Sequence, residues 1–217
     1  MTDLLPETIT HINQYYRLFW RDRTLRVSFD FQNLSDSERL SYELVTWDNY
    51  KHYLPLFEVD TNPYIMDEFR TRADLEKYIA FLQEYCRYSS KRGGCDWLIR
   101  LKKGPYVGVL HIHALNRELI NGRLQPCKVG YAIAEPYRRR GYASEALIHL
   151  LELIPTIFKR YEVEATVHKR NVASRAVLRK AGLIWKSSAA LSESLWYKKL
   201  VDPIPQFTSD DLLNGLI

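Results

Sequence analysis

Arg138, Arg139 and Arg140 run into Gly141, and the residues that follow, "YASEALIHLLELIP", fall at once into helical spacing. A helix start carries unpaired N–H groups and a partial positive charge. Gly141 and the small Ala143 let a ligand approach that backbone, and the arginines add fixed charge. The chemistry this suits is the holding of an anion, a phosphate above all. The stretch is not a Walker loop, since no Gly-Lys-Ser/Thr follows, and it lacks the three-glycine dinucleotide pattern. A second helix start, with Asn171 and Ser174, opens "NVASRAVLRKAGL". Glu135 stands just ahead of the arginines, with His168 just before Asn171. His111 and His113 are two apart, so on a strand they share one face, with side chains that exchange protons near neutral pH. Each group also has a plain structural reading: a basic turn over a core helix, an asparagine N-cap, a serine bonded to its own helix start, surface or core histidines.

The elements that position these groups are legible from periodicity. Ile9, Ile12, Tyr16 and Phe19 make a helix over 7–21, and "TLRVSFDFQ" alternates as a strand. Leu40, Tyr42 and Leu44 alternate again, and a helix is expected from about Trp47 to Phe57. Thr71 and Asp74 form a cap signal for a helix carrying Leu75, Tyr78, Ile79 and Leu82 on one face. "CDWLIRLKK" and "YVGVLHIHALN" flank a Gly-Pro turn, and Asn121-Gly122 marks a tight turn before "QPCKVGYAIA". The helix after the arginines should run from about Gly141 to Leu153 and stop before Pro155. A strand around Val163, Ala165 and Val167, a short helix ended by Gly182, and a closing hairpin complete the chain. A strand-helix-strand unit embedded in hairpins predicts an α/β (α+β) fold with a mixed, mostly antiparallel twisted sheet flanked by helices. Both strand-to-helix turns then open on the same sheet edge.

The 217 residues suit one domain, and 46% hydrophobic content allows a sizeable core. No stretch is long and apolar enough to span a bilayer, and "MTDLLPETIT" lacks the features of a signal peptide. Cys86, Cys95 and Cys127 are odd in number without metal-ligand spacing, which reads as reduced thiols in a cytoplasmic protein with no metal. The net charge of +5 divides unevenly, with +12 over residues 97–200 and −7 elsewhere. Basic residues in several short clusters suit a small polyanion or a nucleic acid.

Arg138-x-x-Gly141-x-Ala143 followed by "NVASRAVLRKAGL" resembles the GNAT superfamily of acyl-CoA-dependent N-acetyltransferases. The wording of "VGYAIAEPYRRRGYASEAL" is similar to its ribosomal-protein N-acetyltransferase (RimJ/RimL) branch. The likeness covers roughly 37–200, which implies a helix-strand extension over 1–36, an acetyltransferase domain over 37–201 and a tail over 202–217. It also implies acetyl-CoA as co-substrate, its pyrophosphate on the backbone of Arg139, Arg140, Gly141, Tyr142 and Ala143, with Arg138 and the Ser144 hydroxyl beside them. The pantetheine arm would pair with backbone near Ile133 and Ala134, and Asn171 would hydrogen-bond it. Ser174 matches the position near the sulfur that donates a proton.

The reaction so implied is direct attack of an amine on the thioester in a ternary complex. Holding both reactants in register lowers the barrier by about 7–11 kcal/mol. Many members of the resembled branch carry an acid two residues before the Gly-Tyr of this strand, where this chain has Lys128. His111, His113, Glu135 and His168 are the stand-ins for a base. An α-amine titrates near ~8 and a lysine near ~10.4, a difference of roughly 3 kcal/mol in the cost of the neutral amine. A cation at position 128 therefore favours an α-amine, as at a protein N-terminus, or a small amine of lowered basicity. The acidic front with Asp60, Asp67 and Glu68 would draw a cationic acceptor, and its aromatic residues read as core. Two alternatives stand beside the active enzyme: an acyl-CoA-binding protein that has lost transfer, and a basic nucleic-acid-binding module. The helix over 7–21 either packs on the domain or makes a homodimer face.

Overall fold

The computed structural model describes residues 31–86, 93–115, 119–189 and 191–208, with the side chains of 84–86 left out. The expected helix over 7–21, and the strand over 24–32 as far as residue 30, lie outside the described residues.

Among the described residues, seven strands form one sheet: β1 (Leu40–Leu44), β2 (Cys95–Leu101), β3 (Tyr106–His113), β6 (Cys127–Ile133), β7 (Glu162–His168), β9 (Glu193–Lys199) and β8 (Ile184–Ser188), side by side in that order. Every neighbouring pair is antiparallel except β6 and β7. β4 (Leu119–Ile120) and β5 (Arg123–Leu124) make a separate small ribbon. Its turn residues Asn121 and Gly122 both have left-handed φ, 52° and 72°, as a two-residue hairpin requires.

Alternation along the strands sends two sets of side chains to two faces. Trp97, Leu110, Ile112, Val129, Ile133 and Val163 bury against α3 (Tyr142–Ile157) and α4 (Val172–Lys180), chiefly Ala146, Leu147, Leu150 and Leu178. Leu98, Val109 and Ala134 bury against the front segment, through Tyr53, Phe57, Phe69, Leu75 and Ile79. That segment holds α1 (Leu54–Phe57) and α2 (Arg72–Ala80). α2 starts at Thr71, whose hydroxyl accepts from the Asp74 N–H, as the cap signal predicts.

Two helix readings need correction. The helix expected over 47–57 is a 3₁₀ turn, Tyr50–His52, followed by α1, because Pro55 has no N–H to offer the Lys51 carbonyl. α3 does not stop at Leu153. Pro155 sits in its last turn, where the stripe ending in buried Ile154 carries the helix on to Ile157.

The segment ahead of β1 docks on the domain. The Trp97 indole donates to the Gln32 carbonyl, the Leu44 amide donates to Asn33, and His149 of α3 bonds the Ser35 carbonyl at 2.6 Å. Beyond β9, Phe207 donates to the Gly122 carbonyl and stacks on Tyr161. Among the described residues, no helix is long and apolar enough to cross a membrane.

Candidate active site

β6 and β7 share register at only two pairs, Cys127 with Val163 and Lys128 with Glu164. Beyond Lys128 the strands part, leaving the C-terminal half of β6 with an open edge. The Ala134 N–H donates to the Val107 carbonyl of β3, so strand alternation turns the Ile133 and Tyr131 amides to the open edge. This corrects the expectation for Ala134: its carbonyl is also taken, by the Tyr137 N–H. The Ile133 N–H faces that edge, while its carbonyl accepts from Arg138 Nε at 2.9 Å.

The chain then enters a turn in which Arg139 (φ 62°) and Gly141 (φ 83°) are left-handed. Gly141 is the N-cap of α3 and supplies no capping side chain, so the amides of Tyr142, Ala143 and Ser144 open the helix without a side-chain acceptor. The arrangement is an anion cradle made of backbone. The arginines divide their work. Arg139 and Arg140 are exposed, whereas the Arg138 guanidinium pairs with the buried carboxylate of Asp60. Two expectations are thereby corrected: the Arg138 side chain ties the front segment to the end of β6, and Asp60 is neutralised inside the protein instead of facing an acceptor. Ser144 is buried at the start of α3.

Sequence reasoning did not single out Arg39. Its Nε pairs with Glu145 of α3 at 2.7 Å, its guanidinium donates to the Arg140 carbonyl at 3.1 Å, and it lies 4.8 Å over the Tyr142 ring. A Cβ placed on Gly141 would come within 3.4 Å of it.

On the β7 side, Asn171 caps α4 by accepting from the Ser174 N–H at 3.0 Å. The Ser174 hydroxyl meets the Tyr131 hydroxyl at 2.9 Å, so a side chain of β6 spans the gap to α4. Burial raises the Tyr131 phenol above its ordinary range, which keeps its proton on. His168 Nδ1 accepts from the Arg170 N–H, and its ring packs on Tyr64 of the front segment. Phe69 of that segment is buried as expected, while Tyr64 is partly exposed.

His111 and His113 do share a face, with rings 5.4 Å apart, but beneath the front segment. Between them lies Asp96, fully buried and outside the sequence reading. Its Oδ2 accepts from the Tyr53 and Tyr78 hydroxyls at 2.5 and 2.9 Å. His111 Nδ1 is 3.7 Å from Asp96 Oδ2, and His113 Nε2 is 3.8 Å from Oδ1. The three ligand-type atoms lie within 4.8 Å of one another, a donor set that a metal ion would accept. Burial costs the Asp96 carboxylate, yet the adjacent histidines and the Tyr53 bond outweigh that and hold it below its usual range. Burial drives His113 down to about 4. Glu135 is elsewhere: it is exposed on a 3₁₀ turn and lines a separate cavity of about 370 Å³ with Tyr106, His52 and Tyr137. Lys128 stands in register between His113 and Glu164, and Glu164 is held by Lys186 at 3.0 Å.

Residues 39–184 match the acetyltransferase (GNAT) domain family. The chain belongs to the GNAT acetyltransferase family. Among solved structures, the GNAT domain is similar to a ribosomal-protein-S5-alanine acetyltransferase from Vibrio fischeri, with TM-score 0.61 and 17% identity over 82% of this chain and 100% of that one. It is similar to an acetyltransferase from Agrobacterium tumefaciens, with TM-score 0.54 and 17% identity over 80% and 98%. A spermidine N-acetyltransferase chimera from Vibrio cholerae and hSSAT gives TM-score 0.59 and 10% identity over 75% and 96%. At such identities the likeness is one of fold. No curated protein sequence matches significantly. GNAT membership makes the chain an acyltransferase. Acetyl-CoA is the co-substrate such domains use, and the uncapped turn at Gly141 has the backbone donors its diphosphate needs.

Proposed function

We propose that this protein transfers an acetyl group from acetyl-CoA to a primary amine, by direct attack in a ternary complex, with a protein N-terminal α-amine or a small amine as acceptor. The observation that carries this reading is the parting of β6 from β7 beyond Lys128, with the uncapped start of α3 following one strand and the Ser174 start of α4 following the other. The diphosphate sits on the amides from Arg139 to Ala143, and the pantetheine arm runs along the open edge at Ile133. An N–H of that edge, Tyr131 or Ile133, faces the thioester oxygen, where a fixed donor stabilises developing negative charge. Ser174, backed by the Tyr131 phenol, protonates the departing thiolate.

Lys128 disfavours an ammonium beside it, which supports an acceptor whose amine is neutral at modest cost. Calorimetric titration of coenzyme A, followed by acetylation of an α-amine peptide and a lysine peptide, tests the proposal. Saturable binding with faster transfer to the α-amine is expected. Binding without turnover on a broad amine panel would instead identify an acyl-CoA-binding protein.

A further inference from the structure

Three residues on three neighbouring strands, joined by two from the front segment, meet where the sheet opens. Asp96, His111 and Gly130 are cross-strand partners on β2, β3 and β6. Tyr53 and Tyr78 reach Asp96 from the front segment and fix one oxygen of its carboxylate. The imidazole of His111 is oriented end to end along this row. Its Nδ1 faces Asp96, and its Nε2 lies over Gly130, so close that a Cβ there would stand 2.3 Å away. Gly130 is two residues past the last β6–β7 pair, which puts Nε2 at the point where the two strands begin to separate. Among the described residues, Asp96 Oδ1 and His111 Nδ1 are buried without a hydrogen-bond partner, so the polar capacity here exceeds what the described fold consumes.

We infer that His111 is the base that takes the proton of the acceptor amine, that Asp96 orients it, and that Gly130 is the opening through which Nε2 reaches the substrate. The inference rests on the acetyl-transfer reading and specifies its proton path. With its proton on Nδ1, facing Asp96, His111 presents a lone pair at Nε2. The present 3.7 Å separation shortens as the ring gains charge, as catalytic contacts do on substrate binding. In the step itself the nitrogen–acyl carbon bond forms and the carbon–sulfur bond breaks, the electron pair leaving on sulfur. The proton shed by nitrogen goes to His111 Nε2, one proton reaches sulfur from Ser174, and solvent resets both groups. His113 approaches the other carboxylate oxygen, and its second ring nitrogen lies against Gly94, turned from β6. Asp96 and His113 therefore face His111, and Tyr53 and Tyr78 hold the carboxylate that lies against it.

The test compares purified wild type with His111→Gln, Asp96→Asn and Gly130→Ala, each checked for fold by circular dichroism and for coenzyme A affinity by calorimetry. His111→Gln should lower kcat by about 10²–10⁴, the range of a lost general base, with coenzyme A affinity within twofold. Asp96→Asn leaves the ring without its orienting oxygen, so it should lower kcat by less than His111→Gln while the KM for acetyl-CoA stays unchanged, a split that a merely structural loss would not give. Gly130→Ala should also cut kcat, and it keeps the proposal testable if Asp96→Asn fails to fold. Wild-type kcat in His111→Gln overturns the inference. So does a stoichiometric metal in the pure protein whose chelation abolishes activity, since these residues would then be its ligands. Absence of coenzyme A binding in the wild type is a different result, and it overturns the acetyl-transfer reading beneath.

Discussion

Arg39 holds the carbonyl of Arg140 from 101 positions earlier in the chain, at 3.1 Å, while its Nε is held by Glu145 at 2.7 Å. The Arg139–Gly141 turn is thus fastened from outside its own motif. Glu145 gives Arg39 two further reasons to stay: its carboxylate also accepts the Arg39 backbone N–H and the Ser37 hydroxyl.

Replacing Arg39 with Gln should therefore loosen the turn and remove a cation beside it. The KM for acetyl-CoA should rise about tenfold, equivalent to about 1.4 kcal/mol, with a smaller change in kcat. Initial-rate kinetics at two salt concentrations check this. An unchanged KM would show that the turn keeps its shape unaided.

Gly141→Ala forces a side chain into left-handed backbone at φ 83° and brings it against Arg39. Thermal unfolding should show a loss of about 1–2 kcal/mol, and coenzyme A should bind more weakly than to the wild type.

Ser174→Ala and Tyr131→Phe remove partners of one hydrogen bond. If they act as one donor pair, the double variant should lose scarcely more activity than the worse single variant. Additive losses in a double-mutant cycle would separate their roles.

The half-buried His113 carries its own signature in stability. Its folded value of about 4 lies below the ordinary 6.5, so between these values the unfolded chain binds the extra proton. Burial is the main cause, Lys128 and His111 add to it, and Asp96 opposes it. Stability should fall as pH drops from about 6.5 toward 4, and His113→Gln should flatten that decline in melts collected across the range.

Burial pushes the Cys127 thiol up to about 12, and its sulfur lies in the α3 face of the core. In native protein at pH 8, Cys127 should resist alkylation by iodoacetamide and react only once the chain is unfolded. Mass-spectrometric mapping of the modified peptides gives the answer.

Much of the site was legible because its signals are local. The Asn171 cap and the Thr71 cap each depend on residues within four positions, the Gly141 turn is announced by the helix that follows it, and all three stand where periodicity places them. Asp96 was not legible. In "CDWLIR" it looks like an ordinary polar position of a strand, and only its burial beneath Tyr53, Tyr78 and His111, 43, 18 and 15 positions away, reveals it. Arg138 misled for a related reason: its partner Asp60 is 78 positions distant, and composition cannot tell a cation spent inside from one offered to a ligand. The parting of β6 and β7 is a matter of register, which no residue type announces.

The docking of Gln32, Asn33, Ser35 and Ser37 onto β1, β2 and α3 bears on how this chain can be shortened. A truncated version beginning at Leu40 would preserve every letter of the recognisable signature yet forfeit the buttress behind it. Expression boundaries drawn from signature alone would then yield a polypeptide with the right inscription and a slack turn ahead of α3.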